Sequence, residues 1–562
     1  MRKLTILVVL IFAFSFNAIS QENQALIEVL KGAGDLLQEV PTKSYTFDQQ
    51  LSWDEEFPFR LAFTQNKEGK KSTESITYEF SLKDIDLNTI RVQNQRDLMV
   101  VRFFINNRQK LIRVFEDGEQ KKYIAELEIM AADADNGRAI ETFLKDAVKL
   151  AEKIETPCST SSFEESLSWL KENIQTFSIN EITYDQAFTV DKEQPTIVRY
   201  TLAERGKKTI ENHYKFNLAD LDPKKVNMKI SNTEVFIEVT TRQNNKYIYF
   251  EKDGTQGNYA NTVQFMVNDF EQAKCMLTIL AEAIKESEAK VKGNLPEISS
   301  LQQGLDLLKE NVVEVRAGEK KISQEIEASC VNVLSVTTMP AKGDPVDEKF
   351  NFNLSDVQDK TVDINVRGKA ITLGFETGRD KLVQPFKNGE IQNYRNDVSI
   401  MASDPENVKM LAHLLPAVVK MCKEQPAFEA KGEINGNLEW IQEQLSSTDI
   451  EGLTQSIQMI EDSDCKWQFR TIEQGKKEDK EEVFEFNLID LDEKGLKFKI
   501  TGKNLAVEVN SAKATKNIKY YENGEPDDYQ GSFLIQMNNV EDARKMIAVF
   551  EQSIKLCKEA EE

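Results

Sequence analysis

One short motif occurs four times in this chain of 562 residues. It reads Tyr78-Glu79-Phe80-Ser81-Leu82-Lys83-Asp84-Ile85-Asp86, and returns as Phe216-Asn217-Leu218-Ala219-Asp220-Leu221-Asp222. It returns again as Phe352-Asn353-Leu354-Ser355-Asp356-Val357 and as Phe486-Asn487-Leu488-Ile489-Asp490-Leu491-Asp492. The leading phenylalanines stand 136, 136 and 134 residues apart. A stretch of that size can bury a core of its own, so the spacing predicts one module copied four times. The expected boundaries are 22–154, 158–288, 296–424 and 432–562, with short links that carry Pro157, Pro296 and Pro426.

The rest of each copy follows one layout. An amphipathic helix opens it: Ser162 with Glu165 is a capping-box pair ahead of Leu167, Trp169, Leu170 and Ile174 at helical spacing. Leu305, Leu308 and Val312 repeat the pattern in the third copy, and Leu438, Trp440, Ile441 and Leu445 in the fourth. Stretches of period two and β-rich composition come next, read as strands with the Phe-x-Leu-x-Asp motif among them. Asp117-Gly118, Asp253-Gly254, Asn388-Gly389 and Asn523-Gly524 then mark hairpin turns, because such pairs tolerate positive φ. Five residues after each glycine stands a tyrosine: Tyr123, Tyr259, Tyr394 and Tyr529. These read as core or cross-strand partners of the aromatics before the turn. A closing helix ends each copy, at Ala139 to Ala151, Ala273 to Ile284, Val408 to Met421 and Ala543 to Leu556.

One module is therefore helix, about seven antiparallel strands, helix: an α+β class built on a curved antiparallel sheet or barrel. In its element order after the first helix, each module resembles the pleckstrin-homology-like barrel, in which seven strands are capped at one end by a final helix. The rival arrangement is a sheet with both helices packed on one face. The resemblance implies that basic loops at an open barrel end hold phosphorylated head groups. The basic tips Gly69-Lys70-Lys71, Gly206-Lys207-Lys208 and Gly475-Lys476-Lys477 are candidates for such anionic-ligand binding, with Ala341-Lys342-Gly343 at the same place in the third copy. Lysines at hairpin ends equally serve to block edge pairing.

Arg2-Lys3, the apolar run Leu4 to Phe16, and small residues at Ala18 and Ser20 form a secretory signal pattern, with cleavage expected before Gln21. The mature chain is expected in the periplasm or outside the cell, with no integral membrane segment after cleavage. A formal net charge of −23 repels nucleic acid at long range.

Six cysteines follow the leader. Cys330 and Cys422 flank the third motif, and Cys465 and Cys557 the fourth, with the same separation of 92 residues. This duplicated register predicts disulfides Cys330–Cys422 and Cys465–Cys557, and the remaining pair is Cys158–Cys275. An exported chain lies in a compartment where disulfides persist.

Catalytic material is sparse. His213 and His413 stand 200 residues apart at non-equivalent places, which leaves almost no material for triads and His-rich metal sites. Asp84/Asp86, Asp220/Asp222 and Asp490/Asp492 are carboxylate pairs at strand ends. Asp at such a place caps a turn, and Ca²⁺ binding or acid–base chemistry is the alternative. Trp169 and Trp440 read as core residues of the opening helices. No metal, cofactor or catalytic residue is expected. The reading that follows is an exported, non-catalytic tandem-repeat protein that binds a protein, peptide or envelope glycan. A carrier of anionic amphiphiles and a carboxylate-based hydrolase are the alternatives. A flat apolar patch would favour the first, a deep apolar pocket the second, and a single cleft with two carboxylates the third.

Overall fold

Backbone preference decides the hairpins. Asp117, Asp253, Asn388 and Asn523 take φ of 51°, 50°, 50° and 49°, and the glycine after each takes 84°, 73°, 83° and 83°. Both central residues of such a turn need positive φ, which only Gly, Asn and Asp adopt cheaply. The flanking residues pair as Glu116↔Glu119, Lys252↔Thr255, Lys387↔Glu390 and Glu522↔Glu525. In the last three turns the side chain also ties the hairpin to its neighbour: Asp253, Asn388 and Asn523 accept from the backbone N–H of Glu211, Asp347 and Glu481 at 2.9–3.0 Å.

The computed structural model describes residues 21–70, 72–95, 98–156, 158–460 and 463–561. The expected leader, 1–20, and Lys71 lie outside them. The chain is a mixture of helix and antiparallel sheet. It divides into two compact units, Met1–Asn294 and Leu295–Glu562. The sheets fall into four groups, two in each unit, consistent with the fourfold repeat in the sequence. Each group is one large sheet of six strands (five in the last) beside one sheet of three. In the second repeat the large sheet runs in the order Phe177–Ile179, Ile182–Val190, Ile197–Arg205, Thr209–Asn217, Tyr249–Lys252, Thr255–Gln256. The small sheet is Leu221–Ser231, Glu234–Thr241 and Thr262–Val267.

These sheets correct three expectations. The strands do not close into a barrel. They number eight or nine in a repeat rather than seven, because the chain before the first long strand adds a short one in three repeats. The recurring motif is a strand only as far as its second residue. The strand ends at Ser81, Asn217, Asn353 or Asn487, whose side chain accepts the N–H two residues on at 2.9–3.3 Å. A 3-10 turn follows, and its Leu82, Leu218, Leu354 or Leu488 is wholly buried. The local side-chain bond competes with the ladder and turns the chain out of the sheet.

Where the ladder stops, one glutamine side chain takes its place in every repeat. Gln49 donates to Met130 O at 3.0 Å and accepts from Met130 N at 2.9 Å. Gln186 does the same with Met266 (3.1 and 3.1 Å), and Gln324 with Met401 (3.0 and 2.8 Å). Gln455 completes the set with Gln536 (2.9 and 2.8 Å). All four glutamines are buried. A primary amide offers the same donor and acceptor as a peptide group, so each clamps the first long strand of the large sheet to the edge of the small one. Gln455→Leu leaves a buried N–H and a buried C=O without partners. It is expected to lower the unfolding free energy of the second unit by about 2 kcal/mol. Denaturant titration checks this, and an unchanged midpoint would show that the clamp is idle.

The closing helices are Ala134–Ala151, Phe270–Gly293, Pro405–Lys423 and Val540–Glu561. Each starts earlier than its apolar pattern suggests. Asp133, Asp269, Asp404 and Asn539 accept the N–H three residues on at 2.8–2.9 Å, which fixes the first turn ahead of the apolar residues. Opening helices Phe163–Asn173, Leu301–Asn311 and Ile434–Ser447 pack on the closing helices of their own repeats. In the first repeat residues 21–31 are helical. Ser162 accepts from Glu165 N at 3.2 Å, while the Glu165 carboxylate reaches back to Ser161 N at 2.7 Å, one residue before the expected box partner.

Candidate functional site

The cysteines pair as Cys158–Cys275, Cys330–Cys422 and Cys465–Cys557, with Cα–Cα distances of 4.7, 5.7 and 5.8 Å. Each bridge ends on a closing helix. It starts at the entry of the repeat for Cys158, and at the second long strand of the large sheet for Cys330, just before Val331–Met339, and Cys465, in Ser463–Glu473. Three disulfides are consistent with a secreted or extracellular protein. Among the described residues no helix is long and apolar enough to cross a membrane.

Lys70, Lys207, Lys208, Lys476 and Lys477 are exposed at hairpin tips. The second carboxylate of each Asp-x-Asp pair caps a turn: Asp86, Asp222 and Asp492 accept the N–H of Asn88, Lys224 and Lys494 at 3.0–3.1 Å. His213 lies 3.1 Å from Glu211 and 3.2 Å from Thr201 Oγ1, and His413 Nε2 lies 3.0 Å from Pro296 O. Neither meets a cluster of acids or cysteines; among the described residues no such group could hold a metal ion. Trp169 and Trp440 are half-buried against the cores of their repeats.

The repeated tyrosines separate. Tyr123 leaves its own repeat, joins the core of the second and meets Phe270 edge-on at 5.3 Å. Tyr394 joins the core of the fourth repeat in the same way, and its N–H donates to Gly502 O at 2.9 Å. Tyr259 packs on Tyr249, whereas Tyr529 is half exposed and belongs to no core.

Within each unit the first carboxylate of the odd-numbered motif meets the closing helix of the next repeat. Lys274 Nζ stands 2.6 Å from Asp84 Oδ1 and 2.6 Å from Glu271 Oε1, and both acids are buried. In the second unit Arg544 Nη2 donates to both oxygens of Asp356 at 2.9 and 2.7 Å. Burial raises the Asp84 and Asp356 carboxyls above the usual carboxylate range, against the pull of Lys274 and Arg544. Burial also works against the Lys274 ammonium, yet Asp84 and Glu271 hold its pKa above the ordinary lysine value. Beside the first of these clusters lies a cavity of about 320 Å³ where Arg60 pairs with Asp269 at 3.1 Å and Arg113 with Glu79 at 3.3 Å. Its charges are matched internally, which marks it as a junction between repeats.

The larger concavity, about 810 Å³, lies in the fourth repeat. It has a local cause. In the first three repeats a short strand covers the residue two before the clamp glutamine: Val40 faces Phe47, Phe177 faces Tyr184, and Val315 faces Ile322. Tyr184 is buried there, stacked on Phe177 at 5.3 Å, with its hydroxyl on Glu234. In the fourth repeat the opening helix runs on to Ser447, the link is only Thr448 to Gly452, and no first strand forms. Leu453 stands where the second repeat has Tyr184, and a cleft opens over Phe484, Leu505, Tyr520 and Met537. Tyr394 and Ile391 of the third repeat line it too. Glu473 and Glu482 stand in its wall; Glu482 is held by Tyr520 Oη at 2.9 Å and Lys480 Nζ at 2.8 Å. The absence of a strand leaves no positive signal, so the sequence offers no direct pointer to this cleft.

No protein-family model, no curated protein and no solved structure matches this chain.

Proposed function

We propose that this chain is an exported, non-catalytic protein of four tandem modules that acts by binding. Its modules span 22–154, 158–288, 296–424 and 432–562, after a leader cleaved before Gln21. The cleft of the fourth repeat carries this reading. Three repeats fill the same space from within; one leaves it open, at roughly the size of small-molecule and peptide-side-chain pockets. Its floor is apolar, and Glu482 is tied into an ion pair and a hydrogen bond, which suits a wall more than an acid–base pair. The partner is an envelope or extracellular component, whether protein, peptide or glycan. The carrier of anionic amphiphiles remains the second reading, supported by the exposed Lys70, Lys207, Lys208, Lys476 and Lys477.

The test is affinity capture from the envelope of the producing cell, comparing the native protein with Leu453→Tyr and with a variant that has Ser at all the tip lysines. Leu453→Tyr restores the side chain that fills this place in the second repeat. Retention is expected to fall at least about tenfold for Leu453→Tyr, equivalent to some 1.4 kcal/mol, and to change little for the lysine variant. Equal retention by the native protein and Leu453→Tyr would remove the cleft from the function. A loss confined to the lysine variant would favour the carrier.

A further inference from the structure

The cleft has a chemical polarity that the other repeats do not share. The inward-facing side chains of the large sheet form successive rungs across neighbouring strands. In the fourth repeat Phe469, Phe484 and Tyr520 make an apolar rung. The next rung outward is Thr471, Glu482 and Glu522, and beyond it Leu453 faces Glu473. The second repeat has Leu202, Asn212 and Lys252 where the fourth has Thr471, Glu482 and Glu522. The first repeat has one carboxylate on that rung, Glu116, and the third pairs Glu348 with Lys387. Only the fourth repeat places two carboxylates side by side there. It is also the repeat that lacks the covering strand. Lys480, on the same rung as Leu453 and Glu473, bridges Glu482 and Glu522 at 2.8 and 3.4 Å, so that pair keeps one net negative charge. The link Asp449-Ile450-Glu451 adds two more acids at the edge, against Lys503 on the opposite hairpin. Tyr520 bonds both Glu482 and Glu522, at 2.9 and 2.8 Å, so its hydroxyl is shared between two acceptors at the foot of the acidic rung. Burial first, then these two carboxylates, push its pKa up.

We propose that the fourth-repeat cleft binds an amphipathic cation, with an apolar body over Leu453, Phe484 and Leu505 and an ammonium or guanidinium at the lining carboxylates Glu473 and Glu482, beside the Lys480 ammonium. This rests on the binding reading above and adds the charge and shape of the ligand. An apolar floor without charge selectivity would accept neutral chains equally. With Lys480 shared by Glu482 and Glu522, the acids in and beside the cleft still outnumber the ammonium groups, which favours a cation and repels an anion, and a low-dielectric wall strengthens both effects. The same chemistry is offered by a small alkylammonium and by a lysine or arginine set among apolar residues in an extended peptide.

Calorimetric titration of the full chain with decyltrimethylammonium, decyl maltoside and decyl sulfate, each below its micellar concentration, tests the proposal. The cation is expected to bind at least about tenfold more tightly than the maltoside, with the sulfate weakest and the preference shrinking as salt rises. Glu482→Gln with Glu522→Gln keeps the hydrogen-bonding shape and should bring the cation-to-maltoside ratio below about threefold. Leu453→Tyr should weaken both. A competing peptide of alternating Leu and Lys distinguishes the sources: displacement of the alkylammonium points to a polypeptide ligand, and persistence of the alkylammonium to a small amphiphile; either supports the cationic class. Equal affinity for cation and maltoside, or no binding of the cation, overturns the inference and leaves the binding reading to the capture experiment. Cation binding that is indifferent to Leu453→Tyr overturns the placement in this cleft.

Discussion

Replacing Cys465 and Cys557 together with alanine is expected to cost the second unit about 4 kcal/mol of unfolding free energy on the chain-entropy account of a long closed loop. The bridge closes a loop with a sequence separation of 92 and joins the second strand of the large sheet, Ser463–Glu473, to the closing helix. Cys557 is wholly buried among the core residues of the fourth repeat. The main effect is on the unfolded chain, which gains the freedom that the cross-link removed. Guanidinium titration of the oxidised native protein and the double variant measures it. The same change at Cys330 and Cys422, with the same separation, should give a matching loss. A drop below about 1 kcal/mol at both sites would show that the folded state already pins these elements without the bridges.

The second large effect is expected at Lys274. Changing it to Met strands Asp84 and Glu271, which are 8% and 7% exposed, without their shared cation. Breaking a buried pair by removing one partner typically costs about 3–5 kcal/mol; Lys274 is itself 31% exposed, which brings the expectation to about 2–3 kcal/mol. The pH dependence tests the cause. A carboxyl whose folded pKa is raised keeps its proton in the folded state after the unfolded chain has released it. Stability therefore falls as pH rises from the unfolded value through the raised folded value. Lys274 limits that fall in the native protein by favouring the Asp84 anion. Without it the fall should be deeper and extend to higher pH. Native and variant stabilities should then nearly coincide at about pH 3, where the carboxyls are neutral, and diverge by about pH 7. A difference that is constant across this range would assign the loss to packing of the lysine stem instead.

What could be read from residues alone was what neighbouring residues decide. The hairpin turns follow from the positive φ tolerated by Asp-Gly and Asn-Gly, and the helices from apolar spacing near Leu167 and Leu438. The cysteine register follows from the repeat itself. The break between the large and small sheets could not be read, because a side chain bridges it. Gln49 and its three counterparts lie in alternating strands, where a glutamine looks like a solvent-facing residue. Only their partners some eighty residues on reveal them as buried. Lys274 and Asp84 are 190 residues apart. Yet Lys274 and Arg544 stand at the same distance of 58 residues from their own motif phenylalanines. A comparison of charge at equivalent positions would have found them. The cleft rests on an element that fails to form, and the two residues that fill its place in the second repeat, Phe177 and Tyr184, look like ordinary strand aromatics until the rungs are compared.

The three bridges also decide how the chain would answer a pull on its two ends. Tension entering at Cys158, Cys330 or Cys465 passes through sulfur to Cys275, Cys422 or Cys557, so the sheets inside those loops carry almost no load. The first repeat has no cysteine. It is the one repeat whose sheets lie wholly in the force path. Unravelled, its roughly 130 residues would lengthen the molecule by about 400 Å at the reach of an extended chain. A stretched molecule would thus become a long tether at its N-terminal end, while in the fourth repeat the shunt would spare the strands after Cys465 and leave Leu453–Ile460, with the Leu453 edge of the cleft, under load.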